Sequence, residues 1–253
     1  MGQTGKIRYS FERVERKYFL TPQQQTALLS SVGDRLAPDA YGSYTVTNLY
    51  YDTEDWALIR ASLEKPVYKE KLRARCYGVP RDGDSVFLEA KKKFDGVVYK
   101  RRISLPAADV APFLAGELPD PPDGQIAREL LWTARSRRVA PRVFLAYDRT
   151  AFTGREDDAL RITFDTGLRY RTTALDLRRG DAGWPILPPG SPYAGQLLME
   201  LKVPGACPLW LAHALSAVGA RPASFSKYGT VFTEHILPAV QADRDMKEAV
   251  IHA

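Results

Sequence analysis

Residues 69–75 read KEKLRAR, so that a cation stands at every second position of the stretch. Side chains at alternate positions of a β-strand point to the same side of the sheet. The stretch therefore predicts a strand with one basic face and an opposite face that carries Leu72 and Ala74. The cations on the basic face are Lys69, Lys71, Arg73 and Arg75.

The same alternation recurs in other segments, where Leu88 and Ala90, for example, stand between charged positions. An antiparallel sheet often keeps one charged face simply in water, and that interpretation stays open for any single strand. A large face of mostly one sign repels itself, however, which favours an anionic ligand on it. The further sets are Glu89 with Lys91 and Lys93, Lys100 with Arg102, Tyr147 with Arg149, Arg161 with Asp165, Glu15 with Lys17, and Glu200 with Lys202.

Turn and helix signals place these strands in an antiparallel sheet. Asp95-Gly96 is a hairpin-turn signal, and Thr21-Pro22 combines a capping hydroxyl with a proline at the first helical position. We expect an α+β fold, an antiparallel β-barrel with helices packed around it. The predicted strands are 12–20, 43–51, 66–78, 84–93, 96–105, 141–153, 158–171 and 196–203, and the predicted helices are 22–33, about 52–62, 106–115, 125–137, 208–218 and 226–236.

The domain organisation is predicted to be simple. A chain of 253 residues with 45% hydrophobic residues is long enough for one elaborated domain, and no break in composition divides it. We expect a single domain over residues 1–253 with its core at about 10–236. The polar tail at 238–253 is expected to fray or to be disordered.

Composition bounds the partners and the compartment. Lys and Arg total 36 against 30 Asp and Glu, and this net charge of +6 favours anionic partners. No apolar run approaches the roughly 20 residues of a membrane span, and no signal-peptide core follows the polar start. Cys76 and Cys207 lack the spacing of a metal site. We therefore expect a soluble cytoplasmic protein with free thiols and no transmembrane segment.

The sequence lacks the motifs of several enzyme classes. The sequence has no glycine-rich loop ending in Gly-Lys-Ser/Thr, no dinucleotide fingerprint and no Gly-x-Ser-x-Gly. His213, His235 and His252 stand isolated. These features disfavour P-loop enzymes, Rossmann enzymes and triad hydrolases.

The charged faces suit phosphate chemistry. An arginine fork engages two phosphate oxygens in fixed geometry, and a lysine acts as a mobile point charge. Glu15, Glu89 and Glu200 are candidate oxygen ligands for Mg²⁺ or Mn²⁺. Phosphoryl transfer needs mostly positioning and charge neutralisation, which such a face supplies without a nucleophilic side chain.

The chain resembles the polyphosphate polymerase domain of the vacuolar transporter chaperone (VTC) family, within the CYTH or triphosphate tunnel metalloenzyme superfamily. The resemblance covers about residues 10–236 and rests on short motifs in a specific order. These are ERKYFL at 15–20, KLRARCYG at 71–78, VFLEAKKK at 86–93, YKRRISL at 99–105, AYDRTAF at 146–152, LRITFDT at 160–166, LMELKV at 198–203 and FSKYG at 225–229.

The resemblance implies a basic tunnel that grips ATP and threads polyphosphate, with a divalent metal on a late strand. Glu200 would hold the metal, and Glu89 and Glu15 would assist it or orient lysines. The resemblance implies catalytic roles for one set of residues and substrate binding for another. The catalytic set is Arg73, Arg75, Lys91, Arg149, Arg161 and Lys227, and the binding set is Lys17, Lys69, Lys71, Lys100, Tyr147, Lys202 and Ser226.

The resemblance implies a polyphosphate polymerase that transfers the γ-phosphate of ATP to a growing chain with Mn²⁺ or Mg²⁺. The hydrolase and cyclase branches of the superfamily begin Glu-x-Glu-x-Lys, whereas Arg13, Glu15 and Lys17 stand here, which favours the polymerase-like branch. A tripolyphosphate or nucleoside triphosphate hydrolase and a non-catalytic polyphosphate-binding module remain alternatives. Nucleic acid is not expected as a partner, and a membrane partner, polymer length and oligomeric state stay open.

Overall fold

The computed structural model describes residues 13–64, 66–95, 97–119 and 121–251. They divide into two compact units. Within the described ranges, unit 1 comprises residues 13–44, Arg149–Thr166 and Leu187–Ser224, and unit 2 comprises Thr45–Asp148, Gly167–Ile186 and residues 225–251.

The strands and helices alternate along the chain much as the sequence predicts. The strands are β1 (Arg13–Leu20), β2 (Leu36–Asp52), β3 (Tyr68–Tyr77), β4 (Ser85–Phe94), β5 (Val97–Pro106), β6 (Ala140–Gly154), β7 (Arg161–Arg171), β8 (Trp184–Pro185), β9 (Leu197–Pro204) and β10 (Pro222–Ala223). The helices are α1 (Pro22–Val32), α2 (Ala57–Leu63), α3 (Val110–Ala115), α4 (Gln125–Arg137), α5 (Leu209–Ala217), α6 (Lys227–Thr230) and α7 (Leu237–Ile251), with a π-helical turn at Val231–Ile236.

Unit 1 is an antiparallel sheet in the order β10-β1-β9-β7. Its apolar core includes Tyr18, Ile162 and Met199 from the strands, together with Leu28 of α1 and Leu211 of α5. The predicted start of α1 is confirmed. Thr21 Oγ1 accepts from the Gln24 backbone N–H while Gln24 Oε1 accepts from the Thr21 N–H, which satisfies two orphan donors at the helix start.

Unit 2 is built on the antiparallel order β6-β2-β3-β4-β5. One face of this sheet carries Leu72, Ala74, Leu88 and Ala90, which pack with α3 and α4 in a single core. Helices therefore cover the apolar face, and the alternating charged positions lie on the other; these are Lys71, Arg73, Glu89, Lys91, Lys100 and Arg102. The two-faced strand that residues 69–75 predict is confirmed.

The α+β antiparallel class is confirmed, but neither unit closes into the predicted barrel. In the described pairings, β5 has β4 as its one strand neighbour and β10 has β1. Pro222 lacks an N–H to donate at the β10 edge. Charged side chains on an edge strand such as β5, which carries Lys100 and Arg102, discourage further pairing.

The C-terminal segment differs from the frayed tail predicted after Pro238. The chain continues directly from the π-helical turn into α7, which is described to Ile251. Ala239, Gln241 and Ala242 are good helix formers and allow this continuation. Among the described helices, none has the length and apolar character needed to cross a membrane.

A buried arginine organises the loop at 172–183. Arg171 is 8% exposed, and its guanidinium stacks 3.5 Å from the ring centroid of Phe144. It donates to four backbone carbonyls, at distances of 2.9 to 3.1 Å. One side chain thereby holds four points of the loop together. These acceptors belong to Ala174, Asp176, Gly180 and Ala182.

Arg171→Lys should lower the free energy of unfolding by about 2–4 kcal/mol, because one ammonium cannot reach the same carbonyls. Urea denaturation measures this change. The matched control is Arg178→Lys on the surface, where ion pairs to Asp82 and Asp176 are exposed and the expected loss is below about 1 kcal/mol. Equal losses in the two variants would contradict the structural role of Arg171.

Candidate functional site

The charged side of the unit 2 sheet is organised in cross-strand rows. Directly opposed residues of neighbouring strands share a face. Lys71 lies opposite Lys91, and Lys91 lies opposite Lys100, so three ammonium groups form one row. We call this surface the cationic face; its members are Lys69, Lys71, Arg73, Arg75, Lys91, Lys100 and Arg102.

Glu89 is the single carboxylate in the second row, between Arg73 on β3 and Arg102 on β5. Arg73 Nε and Nη2 donate to Glu89 Oε2 at 2.9 and 2.8 Å. Lys100 Nζ and Arg102 Nη1 lie 2.7 and 3.5 Å from Oε1. Burial opposes ionisation of Glu89, but Arg73 and Lys100 lower its pKa to about 2. The carboxylate is therefore ionised and fixes three cations at once.

Tyr50 of β2 lies beneath the arginines. Arg73 Nη1 donates to the Tyr50 hydroxyl at 3.1 Å. Burial opposes ionisation of this phenol, but Arg73, Arg75 and Lys71 lower its pKa to about 8. The low pKa reports a strongly positive potential at the cationic face.

Arg75 is held in the same way by neutral groups. Its Nε donates to Asn48 Oδ1 at 2.8 Å, and its Nη2 donates to the Tyr147 hydroxyl at 3.3 Å. Lys227 Nζ lies 4.3 Å from the centroid of the Tyr147 ring. The structure thus brings together Arg75, Tyr147 and Lys227, which are far apart in the sequence.

Ser226 and Lys227 reach this face through a buried anchor. Tyr228 donates its hydroxyl to Asp52 Oδ2 at 2.7 Å and stacks on Tyr50 with 4.5 Å between ring centroids. The Asp52 carboxylate also accepts from the Leu58 and Ile59 backbone N–H groups of α2. Lys71 Nζ donates to Ser226 Oγ at 3.2 Å. Asp52 therefore ties α2 and α6 to the strand that carries Tyr50.

Lys69 occupies the end of the cationic face. Its Nζ lies 3.4 Å from the carbonyl of Ser62, and the residue opposite it on β4 is Lys93. The parity prediction for Lys69 is correct, but it lies two residues beyond the row that reaches Ser226.

The predicted residues of unit 1 also share a sheet face. Glu15 lies opposite Lys202, and Lys202 lies opposite Arg161. In the next row, Lys17 lies opposite Glu200, and Glu200 lies opposite Thr163.

The arginines of unit 1 are paired with aspartates. Arg149 donates from Nε and Nη2 to the two oxygens of Asp165, at 2.7 and 2.8 Å. Asp165 is fully buried, so this bidentate pair fixes the guanidinium. Arg161 Nη2 lies 3.0 Å from Asp39 Oδ2 and is more exposed.

Glu200, the predicted metal ligand, lies between a lysine and a buried hydroxyl group. Its side chain is 12% exposed, and Lys202 Nζ lies 2.7 Å from Oε1. The opposing Thr163 hydroxyl is buried and makes no hydrogen bond within the described ranges. No cluster of three or more His, Cys, Asp or Glu side chains occurs in the described chain. Glu200 and Thr163 fit Mg²⁺ or Mn²⁺ only if phosphate oxygens and water complete the coordination, as is common for Mg²⁺.

Several residues of these faces escape prediction from the sequence. Asn48, Tyr50 and Asp52 alternate along β2, but every residue from 46 to 52 is buried, so no contrast of polar and apolar positions marks them. Asp39 carries no local signal either, whereas Thr163 shares the strand face predicted for Arg161 and Asp165. The one available clue is the spacing of two between Asn48, Tyr50 and Asp52.

Comparison with known families gives one match over most of the chain. The model of the VTC domain matches residues 12–233. The vacuolar transporter chaperone complex subunit 4 of Schizosaccharomyces pombe is 27% identical over 194 residues. That alignment covers 65% of this chain and 27% of the yeast protein, so the chain spans about a quarter of its relative's length.

Solved structures give a likeness of fold. A candidate adenylate cyclase from Bacillus halodurans has a TM-score of 0.50 at 12% identity, over 85% of this chain and 93% of that one. A candidate adenylyl cyclase from Hippeastrum, described as having dominant triphosphatase activity, has a TM-score of 0.45 at 17% identity, over 87% of this chain and 94% of that one.

The Glu89 network should make stability depend on pH in the acid range. Its folded-state pKa of about 2 lies below the ordinary 4.5, so its contribution is present above pH 4.5 and is lost as the pH falls toward 2. In Glu89→Gln, the free energy of unfolding should change less with pH over this range. Near neutral pH it should be lower than in the wild type by about 3–5 kcal/mol, because three cations lose their partner. Urea unfolding across this range measures both effects.

Glu129→Gln is the matched control, since Glu129 also binds two cations but is 26% exposed. Its effect should stay below about 1 kcal/mol. A Glu89→Gln protein whose stability follows the wild-type curve between pH 4.5 and 2 would refute the assignment.

Proposed function

The chain belongs to the VTC domain family, and we propose from this that it is a metal-dependent polyphosphate polymerase that transfers the γ-phosphate of ATP to a growing polyphosphate chain. The observation that carries the proposal is the cationic face of unit 2, where seven cations share one side of the sheet and three of them contact the buried carboxylate of Glu89. Such an excess of fixed positive charge suits a ligand with many phosphate groups. The single-domain organisation is part of the same proposal.

The chemistry asks the protein mainly for alignment. The terminal phosphate of the acceptor is itself the nucleophile, so no side chain has to attack. Glu89 and Tyr50 hold Arg73 before any ligand arrives, and Asn48 and Tyr147 hold Arg75. Donors fixed in advance need little reorganisation when charge moves during transfer.

We assign the roles as follows. The proposed catalytic residues stabilise the transferring phosphoryl group, and the proposed binding residues hold the rest of the phosphate chain. In unit 2 the first group is Arg73, Arg75, Lys91 and Lys227, and the second is Lys69, Lys71, Lys100, Tyr147 and Ser226. In unit 1 the first group is Arg149 and Arg161, and the second is Lys17 and Lys202.

Glu200 is the proposed ligand of Mn²⁺ or Mg²⁺, with Thr163 beside it. A bound divalent cation would neutralise charge on the phosphate oxygens. Glu89 serves better as the residue that orients Arg73, Lys100 and Arg102 than as a metal ligand, because these cations already occupy it. Glu15 is exposed and lies 3.9 Å from Lys17, which suits orientation of that lysine.

The cellular setting is proposed from the relative, which by name is a subunit of a vacuolar transporter chaperone complex. ATP and inorganic polyphosphate are the proposed partners of this chain, and a membrane-bound subunit is a further candidate. We propose the cytoplasm as its location, where Cys76 and Cys207, both free thiols, would stay reduced.

A synthesis assay tests the polymerase directly. The purified chain with ATP and Mn²⁺ should form long phosphate polymers and release ADP. Lys91→Ala and Glu200→Ala should lower the rate by about 100-fold or more. The first removes a cation proposed to stabilise the transferring phosphoryl group, and the second removes the proposed ligand of the metal ion. Lys91 is exposed, so its truncation leaves the core intact. Arg128→Ala on α4 is the control, because its ion pair with Asp123 is exposed and remote from the sheet face.

The same assay separates the alternatives. Free phosphate without polymer would replace the polymerase by a hydrolase of tripolyphosphate or nucleoside triphosphates. Tight polyphosphate binding without metal-dependent turnover of ATP would leave a binding module.

Tyr50 offers a readout that needs no turnover. Binding of tripolyphosphate should raise the Tyr50 pKa from about 8, because the anion offsets the cations that stabilise the phenolate. Ultraviolet difference titration with and without tripolyphosphate measures the shift, and Tyr50→Phe identifies the signal among the 13 tyrosines. A Tyr50 titration that tripolyphosphate leaves unmoved would argue against phosphate on this face.

A further inference from the structure

The hairpin between β4 and β5 ends in an apolar surface that the proposed activity does not use. Six apolar or aromatic side chains are exposed there by 41% to 64%. Asp95, with φ at 43°, forms the turn that brings the two strands together. We call this surface the hairpin tip; it consists of Val67, Tyr68, Phe94, Val97, Val98 and Tyr99.

Tyr68, Phe94, Val97 and Tyr99 of the tip continue the apolar face of the sheet past the end of its helical cover, whereas Val98 lies opposite Lys93 on the cationic side. Ala90 is buried under the helices, and Lys92, two residues along the same face, forms an ion pair with Glu129 of α4. Phe94, two residues further, is 54% exposed and lies opposite Tyr68 and Val97. Adjacent exposed apolar side chains of this kind mark an interaction surface more often than plain solvent contact.

Positive charge flanks the tip on both strands. Residues 91–102 read KKKFDGVVYKRR, which holds six cations and one acid, Asp95. Lys93 lies opposite Val98 and Lys69, directly beside the apolar residues. An apolar tip between basic flanks matches the boundary of an anionic bilayer, where aromatic rings and aliphatic chains enter the headgroup layer and cations contact the phosphates.

We propose that the hairpin tip docks on a membrane surface that carries anionic lipids. Phe94, Val97 and Val98 insert, Tyr99 lies at the headgroup level, and Lys93 contacts lipid phosphates. A second copy of this chain fits the tip less well, because the basic flanks of the two copies would repel each other. This proposal does not rest on the polymerase activity, since its readout is lipid binding.

Vesicle flotation with the full chain tests the proposal. The protein should float with vesicles of phosphatidylcholine and about 30% phosphatidylserine and stay behind with phosphatidylcholine alone. Raising the salt to about 0.5 M should weaken the binding. Phe94→Ser combined with Val97→Ser should lower the partition coefficient by about tenfold or more, because two apolar side chains no longer enter the bilayer.

The matched control combines Val79→Ser with Leu209→Ser, since these apolar side chains are 44% and 76% exposed but lie outside the tip. This control should float like the wild type, and urea midpoints should show both double variants folded. Saturating tripolyphosphate separates the tip from the cationic face, which could itself bind headgroups. Binding that persists with tripolyphosphate supports the tip.

Three results would overturn the proposal. One is the absence of flotation with anionic vesicles. Another is flotation that the tip variant retains or that tripolyphosphate abolishes. The third is concentration-dependent self-association of the wild type, lost in the tip variant, without vesicle binding, since that would assign the tip to a protein contact.

Discussion

The arrangement of unit 2 depends on one buried carboxylate surrounded by cations. Like charges on adjacent strands repel, and Glu89 offsets that repulsion for Arg73, Lys100 and Arg102 together. Two lysines of the same face, Lys71 and Lys91, stand directly opposite each other. A single negative charge thus lets the sheet fold while leaving a positive excess, and an anionic ligand is the natural complement of that excess.

In unit 1, repulsion between the cations of the sheet face is offset in another way. Arg149 and Arg161 are each matched to an aspartate, and the second row places Lys17, Glu200 and Thr163 side by side. This balance of signs is better suited to a metal ion carried with phosphate than to a bare polyanion. The face of unit 2 is therefore a cluster of cations, whereas the face of unit 1 is a mixed set of donors and acceptors.

The face of each strand could be predicted from the sequence because the side-chain period of a strand is two. The motif at 69–75, the turn at Asp95 and the cap at Thr21 all depend on local chemistry and were predictable for that reason. The register of the strands and the closure of the sheet were not predictable, because they depend on which strands pair. The contacts of Glu89 appear only once β3, β4 and β5 are aligned. Asn48, Tyr50 and Asp52 were not predicted, because a strand that is buried on both faces shows no alternation of polar and apolar residues in its sequence.

The anchor between Asp52 and Tyr228 joins residues 176 positions apart in the chain. The strands β2 to β5, by contrast, follow one another in the chain, and each pairs with the next. On the ribosome, the cationic face can therefore form long before Ser226 and Lys227 are synthesised. Until Tyr228 is synthesised, Asp52 lacks its phenol donor, so this later segment completes the hydrogen bonds of a buried carboxylate.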